Sequence, residues 1–167
     1  MTSSNDSGPP PRWHIAPWPP LAWLETVIKL GALATGITAC INGLTTGDFA
    51  LPDGLRLAQW IVLVVLSLGL IAAIFDRFIE REIVAMAFVI VNNAGHWGMV
   101  IALLSGAETG RALVAFAALM LAGDLVKLVF IWRHQYAVRD VPRRVVYGLT
   151  LAYAAGYGAI LLLELAR

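Results

Sequence analysis

The sequence predicts an all-α protein, a polytopic transmembrane helix bundle of about five spans. Three observations carry this. Of the 167 residues, 59% are hydrophobic and 14% charged, against about 45–50% and about 25% in ordinary soluble domains. The apolar residues fall into runs of about 20, each near 30 Å as a helix and so matched to a bilayer core. No segment shows the strand-like alternation of a transmembrane barrel.

Residues 1–20 form the first element, a flexible Pro/Trp-rich arm. Its Ser, Gly and Pro content cannot support a packed core. It has no basic stretch running straight into an apolar core, so it does not read as a signal peptide. Trp13 and Trp18, set among Pro17, Pro19 and Pro20, suit the headgroup region, where ring and indole N–H are both satisfied. The same arm could instead dock on a neighbouring subunit.

Residues 21–167 read as one transmembrane helical domain. The first span, about 21–43, is entered through Pro19-Pro20, a favourable helix start, and carries Glu25 and Lys29. The second, about 55–75, follows Pro52-Asp53-Gly54 and is nearly pure Leu, Val and Ile. With only Gln59 and Ser67 as polar members, it is expected to face lipid more than the others. The third, about 83–105, contains Asn92, Asn93, His96 and Trp97. The fourth, about 112–132, holds Asp124 and Lys127. The fifth, about 145–164, follows Pro142 and carries three tyrosines. Between spans two and three, residues 76–82 contain neither Gly nor Pro. Their charge density alone argues for a membrane exit, with helical turns projecting before the reversal.

Arginines set the orientation. Arg12, Arg77, Arg81, Arg133, Arg139, Arg143 and Arg144 fall on one side, and Arg56, Arg111 and Arg167 on the other. Positive residues stay cytoplasmic. The N-terminus is therefore expected inside and the C-terminus on the opposite side, as five spans require. Arg133, Arg139, Arg143 and Arg144 are also candidates for anionic-lipid binding, beside their role as a topology signal.

Small residues recur at helical spacing: Ala32, Gly36 and Cys40 on span one, and Gly148, Ala152 and Gly156 on span five. Such ridges let backbones approach in lipid, so both faces are expected to meet other helices, in this chain or a partner. Cys40 is the single cysteine, so no disulfide can form within the chain.

Ionisable groups in a span cost about 2.5–3.5 kcal/mol each on insertion scales, so their depths matter. At about 1.5 Å per residue, Lys29 and Asp124 both lie roughly 12 Å from the cytoplasmic edge, with Glu25 and Lys127 nearer it. Asn92 and Asn93 lie roughly 14 Å in, and His96 roughly 20 Å. Local pairing explains part of this, since Glu25–Lys29 and Asp124–Lys127 sit four and three residues apart. The rest is either helix packing or a cytoplasm-facing cavity for a polar headgroup, a quinone-like ring or a proton path. His96 could fix packing by bonding to Asn92 or Asn93, or could titrate or bind a ligand.

His96 has no second histidine at its depth for a six-coordinate haem, and no His/Cys/carboxylate set has metal spacing. No Walker loop, dinucleotide glycine fingerprint, G-x-S-x-G or H-E-x-x-H occurs, so the balance leans away from an enzyme. The expected role is a non-enzymatic accessory or structural subunit of a membrane complex, or a homo-oligomer. Its partners would be membrane lipids and other membrane subunits or itself, and not nucleic acid. The alternative is a carrier of a small molecule, lipid or ion that uses Glu25, Lys29, Asn92, Asn93, His96, Asp124 and Lys127. No cofactor or metal is expected, though a lipid- or quinone-like ligand would suit such a cavity.

In length, span number and its six tryptophans, the chain resembles the tryptophan-rich translocator proteins, which would imply a five-span bundle. That family carries its Trp/Pro motif after span one. Here Pro17-Trp18-Pro19 precedes span one and residues 44–54 lack tryptophan. The resemblance is architectural and brings no site residue with it.

Overall fold

The computed structural model describes Trp13, residues 18–134 and residues 142–167. Among these the chain forms five helices and no strand: α1 (Pro20–Thr46), α2 (Gly54–Glu80), α3 (Ile83–Leu104), α4 (Gly110–His134) and α5 (Arg143–Leu165). Each is long and apolar enough to cross a membrane. The fold is a five-span helical bundle, the architecture of a multi-pass membrane protein. The flexibility expected of residues 1–20 falls largely outside the described residues, as does Arg139.

Pro20 occupies the first turn of α1, where its missing N–H costs nothing. The reversal after α2 is made without glycine. Arg81 takes a left-handed conformation (φ 57°, ψ 34°). Its N–H donates to the Phe78 carbonyl at 3.2 Å, and that of Glu82 to Arg77 at 3.3 Å, the paired closure of a Schellman end. A non-glycine residue held there costs about 1–3 kcal/mol, and side chains brace the corner. Arg77 pairs with Glu82 at 3.1 Å, and the Trp18 indole N–H donates to Glu82 at 3.3 Å. Trp18 also packs edge-on against Phe88, and Trp13 against Phe78. These two arm tryptophans thus lie on their own chain's α2–α3 corner.

The helices close a ring in the order α1, α3, α2, α5, α4. One end, the N-terminal face, is where α1, α3 and α5 begin; the other is the C-terminal face. Leu63, Met99, Leu113, Phe116, Met120 and Ile160 fill the core. The outside is also apolar, with Val27, Val65, Phe75, Trp132 and Leu162 exposed. The apolar windows of α2 and α5 bury the same share, 22%, so α2 is not uniquely turned outward as expected.

The α1–α3 seam is the tightest. A Cβ at Gly36 would overlap the Gly95 carbonyl, and one at Gly98 would come 2.7 Å from the Gly36 oxygen. On α1, Leu33, Gly36 and Gly43 meet α3, Ala32 and Ala39 are buried, and Cys40 is half-buried. Of the expected Ala32–Gly36–Cys40 ridge, Ala32 and Gly36 are buried and Cys40 is half-buried. Steps of four rotate a ridge by about 80° over eight residues, whereas alternating steps of four and three hold one face. The same drift splits the α5 ridge. Gly156 faces inward, its Cβ position 3.1 Å from Leu66. Ala152 is exposed, and Gly148 is exposed with nothing within 4 Å.

Candidate functional site

The interior polar residues fall into two groups. The first joins α1 to α4. Lys29 Nζ contacts Glu25 Oε1 at 2.8 Å and Asp124 Oδ1 at 2.6 Å. All three residues are buried, with Lys29 4% and Asp124 3% exposed. The matched depths of Lys29 and Asp124 thus correspond to a direct bond. The expected local pair Asp124–Lys127 is absent: Lys127 is half-buried and makes no ion pair among the described residues. Gly123 explains the preference. A Cβ there would lie 2.9 Å from Lys29 Cγ and Cε, so the lysine stem crosses α4 over a residue without a side chain and reaches the neighbouring aspartate.

Lys29 leaves this group unbalanced, with two carboxylates around one ammonium. Asp124 Oδ2 is buried and has no hydrogen-bond partner among the described residues. The same holds for Asn93 Oδ1 on α3. Buried acceptors normally find a donor, so both atoms mark places where the packing alone leaves a polar demand unmet.

The second group crosses the ring from α3 to α5. His96 Nδ1 lies 2.9 Å from the Asn92 carbonyl. A carbonyl only accepts, so Nδ1 carries the proton and Nε2 accepts from the Tyr157 hydroxyl. Phe116 stands edge-on to the imidazole at 5.1 Å between ring centres. His96, Phe116 and Tyr157 are all fully buried. The hydrogen bond expected from His96 to a neighbouring asparagine is thus made to the backbone carbonyl of Asn92 rather than to the Asn92 or Asn93 side chain. Tyr157 was not singled out from sequence. Its signal lies in the inward set Val146, Thr150, Ala154, Tyr157 and Ile160, which follows the helical period.

At the C-terminal face lies a third polar group, which residue spacing does not predict. Arg56 forks onto both oxygens of Glu164 at 2.9 and 3.3 Å and donates to Gln59 Oε1 at 3.1 Å. Gln59 Nε2 donates to Glu164 Oε2 and to the Ile160 carbonyl. This network edges an open recess of about 930 Å³ that Asp53, Glu108, Arg111 and Arg167 also line.

Of the lipid-binding candidates, Arg133 and Arg144 are exposed. Arg143 instead donates to the carbonyls of Ile131 and Trp132 at 2.7 and 2.8 Å, satisfying the end of α4. Among the described residues no three His, Cys, Asp or Glu side chains gather as metal ligands. Together, fold and site define a five-span membrane bundle whose interior carries an ionic triad and a His–Tyr crosslink. No family model, curated protein or solved structure matches the chain.

Proposed function

We propose that this protein is a non-enzymatic structural or accessory subunit of a membrane assembly, with other membrane proteins or with copies of itself. The observation that carries this reading is the bare ridge on α5. Gly148 has open space where a Cβ would stand, and Ala152 beside it is exposed between Leu149 and Leu151. In lipid, a strip of small residues favours another helix backbone, because close dispersion contact replaces hydrophobic exclusion. Native mass spectrometry in mild detergent tests it. Wild type is expected as an oligomer or complex and Gly148→Leu as a folded monomer. A wild-type monomer in mild detergent and in lipid nanodiscs would contradict the reading.

In this reading the N-terminal face is cytoplasmic. Support comes from Arg77, Arg81, Arg133, Arg143 and Arg144 lying at that end. A reporter fused after Arg167 should then be active only on the non-cytoplasmic side. Lipid chains suit the apolar exterior, and the exposed Arg133 and Arg144 suit anionic headgroups.

A second reading, a carrier for a small polar cargo, is favoured by the unpartnered Asp124 Oδ2 and Asn93 Oδ1. It expects Asp124→Asn to change ligand retention or flux while assembly survives.

A further inference from the structure

We propose that Asp124 is a proton-binding site, holding one exchangeable proton on Oδ2 in the membrane interior at neutral pH. The inference goes beyond the assembly reading and does not depend on it.

Charge count and geometry carry it. Glu25, Lys29 and Asp124 sum to one negative charge when all are ionised; Lys127, three residues on along α4, would balance it but makes no ion pair with either carboxylate among the described residues. Lys29 spends its ammonium on Glu25 Oε1 and Asp124 Oδ1, so Oδ2 keeps charge without a donor in a side chain that is 3% exposed. An unpaired charge in hydrocarbon is far more costly than an unpaired neutral polar group. A proton on Oδ2 makes the triad neutral and leaves the Oδ1 bond to Lys29 in place. Asp124 rather than Glu25 takes it, because only Asp124 has a buried oxygen without a partner in this triad.

The surroundings supply one further cation, Lys127, whose charge reaches Asp124 without an ion pair between them. The helices packed most closely on α4 are α1 and α5, and α3 touches it where His96 meets Phe116. From α1 come Glu25 and Lys29, and the titratable groups of α5 on that side are Tyr153 and Tyr157. On α4 itself, Lys127 makes no ion pair among the described residues. Lys127 interacts electrostatically with Glu25, Lys29 and Asp124 and, more weakly, with Arg77 of α2, and Lys29 does so with His96 of α3. His96 is already committed, with Nδ1 on the Asn92 carbonyl and Nε2 on Tyr157. Lys127 lies one turn nearer the N-terminal face than Asp124, so the proton comes from and returns to water at that face.

Infrared difference spectroscopy of the whole protein in phosphatidylcholine vesicles tests this directly. At neutral pH, exposed aspartates are ionised. We expect a protonated-carboxyl C=O band there, equal to one group per chain, that moves when aspartate carries ¹³C in its carboxyl and is lost at alkaline pH. Glutamate labelling should leave it in place. Asp124→Asn should abolish the band and Glu164→Gln should keep it. The labelled wild type keeps the test decisive if Asp124→Asn does not fold. No aspartate-derived band at neutral pH, or one that survives Asp124→Asn, overturns the proposal. Oligomeric state does not enter the readout, so failure of the assembly reading would be seen separately.

Discussion

The two ends of the bundle treat ionic groups in opposite ways. At the C-terminal face, Arg56, Gln59 and Glu164 form a closed network in which one cation meets one anion, and the amide satisfies both neighbours. Its ion pair is 14% and 17% exposed. In the N-terminal half, one lysine serves two carboxylates, the side chains are 5%, 8% and 4% exposed, and an acceptor is left over. The first arrangement has what a staple needs, with charges balanced and donors matched near water. The second is deeper, unbalanced and incomplete. A buried pair contributes little net stability yet is costly to break, so its retention in the core calls for another role.

That contrast can be broken at its strongest point first. Lys29→Ala strands two buried carboxylates and should lower stability by about 3–5 kcal/mol, read as a shift of the unfolding midpoint in mixed detergent. Arg56→Ala should cost less, about 1–2 kcal/mol, because Glu164 can take water. Equal losses would erase the distinction between the two ends.

The neutral crosslink between them offers a sharper comparison. Tyr157→Phe leaves His96 Nε2 without its donor and should cost about 1–3 kcal/mol, measured in the same unfolding series. Smaller again is Gly123→Ala. The new methyl presses on the Lys29 stem and should cost about 1–2 kcal/mol, while leaving the Arg56 network unchanged. No measurable effect would show that Gly123 does not shape the path of Lys29.

The class of fold was legible because it depends on length and composition, which single residues cannot overturn. Depth along a span was legible too, since rise per residue is fixed, and it brought Lys29 and Asp124 to one level. Rotation about the helix axis was the weak link. Spacing of four linked Gly148, Ala152 and Gly156, but the rotation that accumulates over two turns turned Gly156 toward Leu66 and left Gly148 and Ala152 exposed. Local spacing likewise favoured Asp124–Lys127, and the choice of Lys29 instead hangs on a missing Cβ at Gly123, visible only once α1 and α4 are packed. The turn at Arg81 lacked any Gly or Pro signal; its left-handed residue is held by Trp18, Arg77 and Glu82 arriving from three segments.

The direct test of the α1–α4 ionic bond is a double-mutant cycle on Lys29 and Asp124, using Lys29→Met, Asp124→Asn and the pair. A direct bond in the membrane interior predicts a coupling energy of about 2 kcal/mol or more. The same cycle on Lys29 and Arg56, which lie at opposite ends of the bundle and share no partner, should be near additive. Additivity of Lys29 and Asp124 within about 0.5 kcal/mol would mean that the two side chains do not meet, and the unbalanced triad would not exist.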